Sequence, residues 1–365
     1  MAEISFSKEN LNILVTRADR IGDLVLSTPV ISELRKRFPR ARISALTFKE
    51  NRQVLEGNPF LDEVILYDKK GAQKNLFGNW KFARMLSGKK FDAVIHLHAT
   101  NRMHIVSRLA GIPVRIGWDR RAAWALTYVF PDTKKEGKKH EAEYNFDLLA
   151  PLGVKYPASL ELYFPVTFEA EAAVRGLFEK FKISPDKPLI ILSPSASCPS
   201  KRWPAERFGQ LADALHSRSA VQFAAIGTEA DRPLIQRLQA SSRSGVLDLS
   251  GRLDLSMLGA LLKHASLLIS NDSGPAHIAA AVGTPVISIF GRRQPGLSPA
   301  RWRPLGPRSR FIWKDVGCDP CLAHECQIHF LCHDVVSVED VLKEIVFFDA
   351  QEGFGLVLRH PSPRK

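Results

Sequence analysis

Short apolar runs alternate with helical segments along this chain, and the alternation occurs twice. In the first half, runs of strand length lie at residues 13–16, 42–46, 64–67, 93–97 and 114–117. In the second half they lie at residues 189–192, 222–226, 246–249, 267–271 and 286–290. The segments between them favour helices at 24–38, 50–55, 80–86, 102–110, 141–152, 205–216, 233–240, 255–264 and 275–282. Short apolar strands separated by helices indicate parallel sheets covered on both faces, so we expect an α/β chain with two doubly wound domains.

The segment 153–165 separates the two halves and contains Pro157 and Pro165, which are typical of a linker. We therefore expect a domain over residues 1–158, a second over residues 159–345 and a tail over residues 346–365. The first residues lack a basic segment followed by a long apolar stretch, and no run of about 18 uncharged apolar residues occurs. The expected location is the cytoplasm, with peripheral contact with a membrane surface left open.

The chain is strongly basic, with a formal net charge of +13 at pH 7. A basic surface favours acidic partners: phosphorylated small molecules, nucleic acid or an anionic membrane surface. No block rich in Lys and Arg is interleaved with aromatic residues, so nucleic acid is not the expected partner.

A loop in the second half suits a phosphate. Residues 270–277 read SNDSGPAH and follow an apolar run, and Pro275 suits the start of a helix that Gly283 would stop. Amides at a helix N-terminus attract anions, and small residues allow close approach to the backbone. The alternative is a capped helix without a ligand.

A loop at the matching place in the first half is charged. Residues 17–23 read RADRIGD and follow the run at 13–16. Pro29 either starts the next helix, with Thr28 as its cap, or kinks a helix that began at Asp23. Asp23 is either a plain N-cap or a carboxylate that serves as a general base.

Common nucleotide motifs are absent. The chain has no G-x-x-x-x-G-K-[ST], no G-x-G-x-x-G and no D-x-D, which weighs against a P-loop, a dinucleotide fingerprint and a sugar-nucleotide site built around a divalent metal. Amides and basic side chains must then meet any phosphate charge. The loop at 193–204 fits that role, because it is rich in hydroxyls and ends in Lys201 and Arg202. The alternative is an ordinary polar loop.

Together these residues resemble glycosyltransferase family 9, the ADP-heptose:lipopolysaccharide heptosyltransferases, and in particular the heptosyltransferase II type. The matching segments are RIGDLVLSTP at 20–29, the loop before KRWP at 201–204, and SNDSGPAH at 270–277 continuing to Gly291. The resemblance implies a GT-B-type fold, in which two Rossmann-like domains face a cleft. It also implies metal-independent, inverting transfer of a heptose from ADP-L-glycero-D-manno-heptose to the lipopolysaccharide inner core.

The resemblance also implies roles for single residues. Asp23 would be the general base, and the donor would be bound by Ser197, Lys201, Glu229, Asp231, Leu253, Asp272, Ser273, Gly274, Pro275 and His277. Asp272 would cap its loop, contact a sugar hydroxyl or pair with Lys201. Either Glu229 or Asp231 would bind the ribose, and His277 would orient the loop, touch phosphate or simply pack. The chain departs from the family at Arg292-Arg293-Gln294-Pro295, where a small hydroxyl residue before proline is expected.

A basic stretch in the first half is a candidate for binding the anionic acceptor, lipopolysaccharide core or lipid A-core, or an anionic inner membrane. Its residues are Arg120, Arg121, Lys134, Lys135, Lys138 and Lys139. The alternative is a solvated loop.

Four of the five cysteines lie close together in sequence, at Cys318, Cys321, Cys326 and Cys332. Such spacing suits a structural zinc or iron ion, whereas catalysis should need no cofactor; the alternative is a set of reduced thiols. Other function classes remain open at this point: a related GT-B enzyme using another nucleotide sugar or acceptor, a two-lobed small-molecule binding protein, and an oxidoreductase or epimerase.

Overall fold

The computed structural model describes residues 3–6, 9–321 and 324–353. The chain divides into two compact units, one ending at Pro165 and the other beginning at Val166. The segment 159–165, which we assigned to the second domain from the sequence, therefore belongs to the first unit.

The first unit is built on a parallel sheet. Its strands are β1 (Asn12–Thr16), β2 (Arg42–Phe48), β3 (Glu63–Tyr67), β4 (Ala93–His96), β5 (Val114–Trp118) and β6 (Tyr128–Phe130). Their order across the sheet is β3-β2-β1-β4-β5-β6, and every neighbouring pair is parallel. The order reverses between β1 and β4, and the loops after these two strands leave the same edge of the sheet. In open parallel sheets that position is where ligands bind.

The helices of the first unit are α1 (Ile21–Val25), α2 (Thr28–Arg37), α3 (Leu76–Gly88), α4 (Asn101–Leu109) and α5 (Glu141–Asp147), with 3₁₀ turns at Lys49–Val54, Ala123–Ala125, Lys134–Glu136 and Ala150–Leu152. The helix expected at 24–38 is thus two helices. The second begins after Ser27, with Pro29 in its first turn, and Thr28 donates to Val25 O rather than capping it. The expected helix at 50–55 is a 3₁₀ turn, and the one at 141–152 ends at Asp147.

The second unit repeats this topology. Its strands are β7 (Leu189–Ser193), β8 (Gln222–Ala225), β9 (Leu247–Asp248), β10 (Leu267–Asn271), β11 (Val286–Phe290) and β12 (Ser309–Trp313). Their order is β12-β11-β10-β7-β8-β9, again all parallel, with the reversal between β7 and β10. All residues of β7, β10 and β11 are buried, as expected for strands covered on both faces. The predicted α/β class with two doubly wound parallel sheets is confirmed.

The helices of the second unit include four that we did not predict, among them the first and the last. They are α6 (Phe168–Phe181), α7 (Ala205–His216), α8 (Arg232–Ala240), α9 (Leu255–His264), α10 (Gly274–Ala281), α11 (Pro299–Trp302), α12 (Leu331–Asp334) and α13 (Val338–Glu352). The first and last of these begin with Thr167 and Ser337, whose side chains cap the helix by accepting from a backbone amide. No described helix is long and apolar enough to cross a membrane.

Helix α13 completes the core of the second unit. Val341, Leu342, Ile345 and Phe348 join the buried cluster formed by β7, α7 and their neighbours. The tail expected from residue 346 is therefore helical as far as Glu352, and residues 354–365 lie outside the described part. The segment just before α13 is held by Trp203, whose indole nitrogen donates to Val336 O at 2.8 Å.

Replacing Phe348 by Ala should lower the free energy of unfolding of the second unit by about 3–5 kcal/mol, because the ring is fully buried and its removal leaves a cavity. The matched control is Phe347→Ala, since that ring is 56% exposed and its loss should cost much less. Urea unfolding followed by circular dichroism measures both. Equal effects of the two variants would contradict the packing of α13 described here.

Candidate active site

Arg17 organises the polar centre of the first unit. It follows the last residue of β1 and is 3% exposed. Its Nη2 lies 2.6 Å from Asp23 Oδ1, and its Nε lies 2.9 Å from Asp19 Oδ1. Its Nη1 lies 3.0 Å from Glu141 Oε1 and also donates to Asn145 Oδ1 at 3.2 Å. One guanidinium thus connects the loop after β1 to helix α5.

A second cation, Lys134, binds one of these carboxylates, that of Glu141. Lys134 Nζ lies 2.7 Å from Glu141 Oε1 and 4.8 Å from the centroid of the Trp118 ring, and the residue is 8% exposed. The buried cluster therefore holds three carboxylates, of Asp19, Asp23 and Glu141, against two cations. If all five groups were charged, the cluster would carry one negative charge, which is costly away from water.

This buried environment strongly shifts the pKa of the Asp19 carboxyl. Burial raises the pKa of its carboxyl to about 7, although Arg17 opposes the shift. His98 Nδ1 lies 3.2 Å from Asp19 Oδ2, and burial together with the nearby cations lowers the pKa of this imidazole to about 4. At neutral pH, His98 is neutral and Asp19 is partly protonated.

Asp23 is the third residue of α1, and it is 8% exposed. The residue at the N-cap position is Arg20, which makes no capping bond. Asp23 is therefore not the plain N-cap that the sequence left open; its carboxylate binds the Arg17 guanidinium instead.

A pocket of about 560 Å³ opens next to this cluster, at the carboxyl ends of β1 to β4. Asp19 and His98 lie in its wall, together with three cationic side chains, Lys69, Arg102 and Arg121. Such a wall suits an anionic, hydroxyl-rich ligand whose reacting group approaches the carboxylates.

In the second unit, Asn271 at the end of β10 holds the loop that follows β7. Its Oδ1 accepts from Trp203 N at 2.9 Å, and its Nδ2 donates to Pro194 O at 2.7 Å. The residue is fully buried. The two loops selected from the sequence are thereby joined at the point where the strand order reverses.

Lys201 and Asp272 form an ion pair on these two loops, with Nζ 2.7 Å from Oδ2. This is one of the three placements that the sequence left open for Asp272. Ser273 precedes α10, with its hydroxyl 3.1 Å from that of Ser270, and Gly274 and Pro275 form the first turn. A cation beside a helix N-terminus is a suitable arrangement for a phosphate.

The sequence matches a known family of enzymes. The sequence model described as "Glycosyltransferase family 9 (heptosyltransferase)" matches residues 79–331. This chain belongs to that family. It is a glycosyltransferase, which sets aside the binding-protein and oxidoreductase alternatives, and the resemblance drawn from the sequence is confirmed.

Individual family 9 proteins agree with this assignment. Lipopolysaccharide heptosyltransferase 3 of Escherichia coli is 30% identical over 300 residues, covering 80% of this chain and 86% of that protein. The solved family 9 glycosyltransferase of Veillonella parvula has a TM-score of 0.84 and 24% identity, covering 96% of this chain and 100% of the other. The solved E. coli ADP-heptose lps heptosyltransferase II has a TM-score of 0.77 and 23% identity, covering 94% and 100%.

The basic residues expected to bind the acceptor in this glycosyltransferase lie in different surroundings. Lys134 is in the buried cluster, and Arg121 lines the pocket beside Asp19. Arg120 pairs with Asp132 at 3.0 Å. Lys138 and Lys139 are exposed, pair with Glu136 and Asp147, and line a separate groove of about 1110 Å³; Lys135 is exposed.

The residues expected to bind the nucleoside lie on the loops after β8 and β9. Asp231 Oδ2 accepts from both the amide and the hydroxyl of Thr228, at 2.8 and 2.6 Å. Glu229 is exposed and pairs with Arg232 at 2.7 Å. Leu253 is half-buried. Of the residues expected at the diphosphate, Ser197 is exposed and His277 is buried in α10.

The two arginines that depart from the family pattern have separate partners. Arg292 is 8% exposed, and its guanidinium donates to Ser200 Oγ at 3.0 Å and to Cys198 Sγ at 2.6 Å. Arg293 is exposed and pairs with Asp315 at 3.0 Å. Only Arg292 therefore contributes to the loop that carries Lys201.

The cysteine cluster is not arranged for a metal in the described residues. Burial, together with Cys318, Cys326 and Cys321 nearby, raises the pKa of Cys332 to about 11. Within residues 3–6, 9–321 and 324–353, however, no three His, Cys, Asp or Glu side chains form a group that could hold a metal ion. The structural zinc or iron expected from the spacing therefore has no support in the described residues.

Sequence reasoning missed Arg17, Asp19, His98 and Glu141. The first two stand directly after a strand, which is a usable signal. Glu141 lies 124 positions from Arg17, and only the folded topology brings it into the cluster.

The Asp19 carboxyl should make stability depend on pH. Because its folded pKa is raised from 3.8 to about 7, the folded state binds the extra proton between these values, and Asp19 destabilises the fold increasingly as pH rises through that window. Relative to the parent protein, Asp19→Asn should therefore gain about 2–4 kcal/mol of unfolding free energy between about pH 4.5 and 7.5.

Urea unfolding at the two pH values measures this gain. Asp315→Asn is the control, since that exposed carboxyl has a pKa below 3.8 and contributes no change in this range. A constant difference between Asp19→Asn and the parent protein at both pH values would contradict the raised pKa of Asp19.

Proposed function

We propose that this glycosyltransferase transfers a heptose from ADP-heptose to the lipopolysaccharide inner core with inversion at the anomeric carbon, and that Asp23 is the general base. The observation that carries the proposal is the Asp23 carboxylate, buried and held 2.6 Å from Arg17 where the strand order of the first sheet reverses. The relatives support the substrates, because their names include lipopolysaccharide and ADP-heptose.

In the proposed reaction an acceptor hydroxyl gives its proton to Asp23 as its oxygen bonds to the anomeric carbon. The bond from that carbon to the donor diphosphate breaks on the opposite face, and ADP leaves with the electron pair. We assign the proton to Oδ2 of Asp23, since Oδ1 accepts from Arg17. Arg17 is a positioning residue, which fixes the carboxylate at the edge of the sheet.

The departing ADP carries charge that must be stabilised. We assign this to Lys201 and to the backbone amides from Ser273 into α10, because preorganised donors on a leaving group lower the barrier. Asp272 would keep Lys201 in place, and its own charge prevents it from contacting phosphate directly. Arg292 would support the loop from beneath through Ser200.

Two further assignments follow from the contacts. Glu229 is the better candidate for the ribose hydroxyls, because it is exposed and its contact with Arg232 is a surface ion pair, whereas Asp231 binds the amide and hydroxyl of Thr228 within its own loop. The anionic acceptor would be held by Lys69, Arg102 and Arg121 in the pocket beside Asp19, which places its hydroxyl at the carboxylate cluster. Lys135, Lys138 and Lys139 remain a secondary candidate surface.

A donor panel tests the substrate assignment. ADP-heptose, other ADP-sugars and UDP- and GDP-sugars are compared by thermal shift and by nucleotide release with a lipid A-core acceptor. We expect stabilisation and turnover with ADP-heptose above the others. Turnover with another nucleotide sugar alone would replace the donor and leave the family assignment standing.

Replacing Asp23 by Asn should lower kcat by about 10²–10⁴, the usual contribution of a general base, while donor affinity is retained. Steady-state kinetics and circular dichroism measure the effect and the fold. Glu56→Gln is the matched control, because Glu56 is an exposed carboxylate paired with Arg52 in the same unit. Should Asp19→Asn lose activity while Asp23→Asn keeps it, Asp19 is the base instead.

Replacing Lys201 by Ala should raise the donor KM by about 10–100-fold, since charge-assisted hydrogen bonds to the diphosphate are lost. The double variant Lys201→Ala/Asp272→Asn separates this loss from the cost of leaving Asp272 without its cation, and Lys187→Ala is the control at an exposed lysine before β7. Activity should persist in EDTA. Abolition of transfer by chelation in folded protein would mean that a divalent ion serves the diphosphate.

A further inference from the structure

Helix α3 in the first unit exposes apolar side chains that a water-facing helix normally lacks. Leu76 is 90% exposed, Phe77 61% and Trp80 49%. The opposite side of the helix is well packed, with Phe82, Leu86 and their neighbours buried against the core. The exposure is therefore a property of one face, which we call the α3 surface: Leu76, Phe77, Trp80, Lys81 and Arg84.

The two aromatic rings of the α3 surface stack on each other, and each has a cation over it. Phe77 and Trp80 are stacked, with centroids 5.9 Å apart. Lys81 Nζ lies 4.5 Å from the Phe77 centroid, and the Arg84 guanidinium lies 5.9 Å from that of Trp80. Lysine and arginine stems cover apolar surface in this way while their charges reach outward.

The chain leading into α3 adds more positive charge. Lys69, Lys70 and Lys74 are exposed in the loop between β3 and α3. A helix with apolar residues that include Trp and Phe, flanked by lysine and arginine, is the composition that lies flat in the headgroup region of an anionic bilayer.

We propose that the α3 surface docks this enzyme on an anionic lipid bilayer. A second copy of the chain fits less well, because a two-fold contact would place this surface, which carries Lys81 and Arg84 and no carboxylate, against an equally positive copy of itself. Phospholipid headgroups instead supply the negative charge that the cations match, and the rings enter the boundary of the acyl region.

The α3 surface is also connected to the pocket beside Asp19. Tyr67 lies in the pocket wall, and its hydroxyl donates to Asn79 of α3 at 2.5 Å. Docking through α3 would therefore keep the pocket close to the bilayer in which a lipid-linked acceptor is anchored. This link rests on the proposed function, whereas the docking itself rests on exposure and charge.

The test is sedimentation of the full chain with vesicles, without donor or acceptor. We expect binding to phosphatidylcholine vesicles containing about a quarter phosphatidylglycerol and weak binding to phosphatidylcholine alone. The double variant Phe77→Ser/Trp80→Ser should lower the partition coefficient at least about tenfold. Phe168→Ser is the matched control, since Phe168 is a 76% exposed ring with Arg175 over it in the second unit.

Charge is tested separately with Lys70→Gln/Lys74→Gln, which should bind anionic vesicles more weakly at low salt and show a smaller salt dependence. The altered side chains are exposed, so circular dichroism should be unchanged. Failure of the parent protein to bind either vesicle overturns the proposal, as does equal binding by Phe77→Ser/Trp80→Ser. A dimer in gel filtration that this double variant abolishes would assign the surface to a second copy instead. Vesicle binding and heptose transfer are separate readouts. Transfer without vesicle binding would overturn the docking proposal and leave the proposed function standing, whereas vesicle binding without transfer would do the opposite.

Discussion

The first unit depends on one buried guanidinium. Arg17 connects the end of β1, the start of α1 and the helix α5 through Asp19, Asp23 and Glu141. Removing one partner of a buried ion pair leaves an uncompensated charge, so each group in the cluster constrains the others. A carboxylate held in this way has a defined direction and a defined electrostatic environment, both of which proton transfer requires.

The second unit also holds its central loops together at the strand-order reversal, but it does so with neutral groups. At the same reversal of an identical strand order, but on the other central strand, Asn271 uses its amide to bind the loop after β7. The charged pair of Lys201 and Asp272 then stands on a scaffold that does not itself depend on ionisation. Each sheet therefore presents its chemistry where the strand order reverses, one through a salt-bridge network and the other through an amide clamp.

Strands were the most predictable elements, because buried parallel strands are apolar throughout. The runs at 267–271 and 286–290 match β10 and β11 residue for residue. Two of the four edge strands, β6 and β12, were missed, because they are partly exposed and their apolar runs, YVF and FIW, are only three residues long. The helix pattern at 24–38 concealed a break before Thr28, since Pro29 is compatible with either a kink or a new start.

Local loops could be selected from the sequence, but their partners could not. Asp23 and Asp272 were selected as candidates because each lies in the segment that follows a strand. Lys134 was grouped with Lys135 as a candidate for binding the acceptor, with a solvated loop as the alternative, whereas the fold turns it inward to Glu141 and the Trp118 ring. Charge runs say nothing about which member faces the core, and that choice is made by tertiary contacts.

The position of α13 has a consequence for how the second unit folds. Its buried face packs in one cluster with α7, while Trp203 and Arg207, at the start of α7, both donate to Val336 O just before α13. These contacts join segments more than a hundred residues apart, so forming them closes a long loop at a cost in chain entropy. Until α13 packs against it, the apolar face of α7 is exposed to solvent. Assembly of this unit is therefore governed by long-range closure, and partly folded chains would expose that face to association.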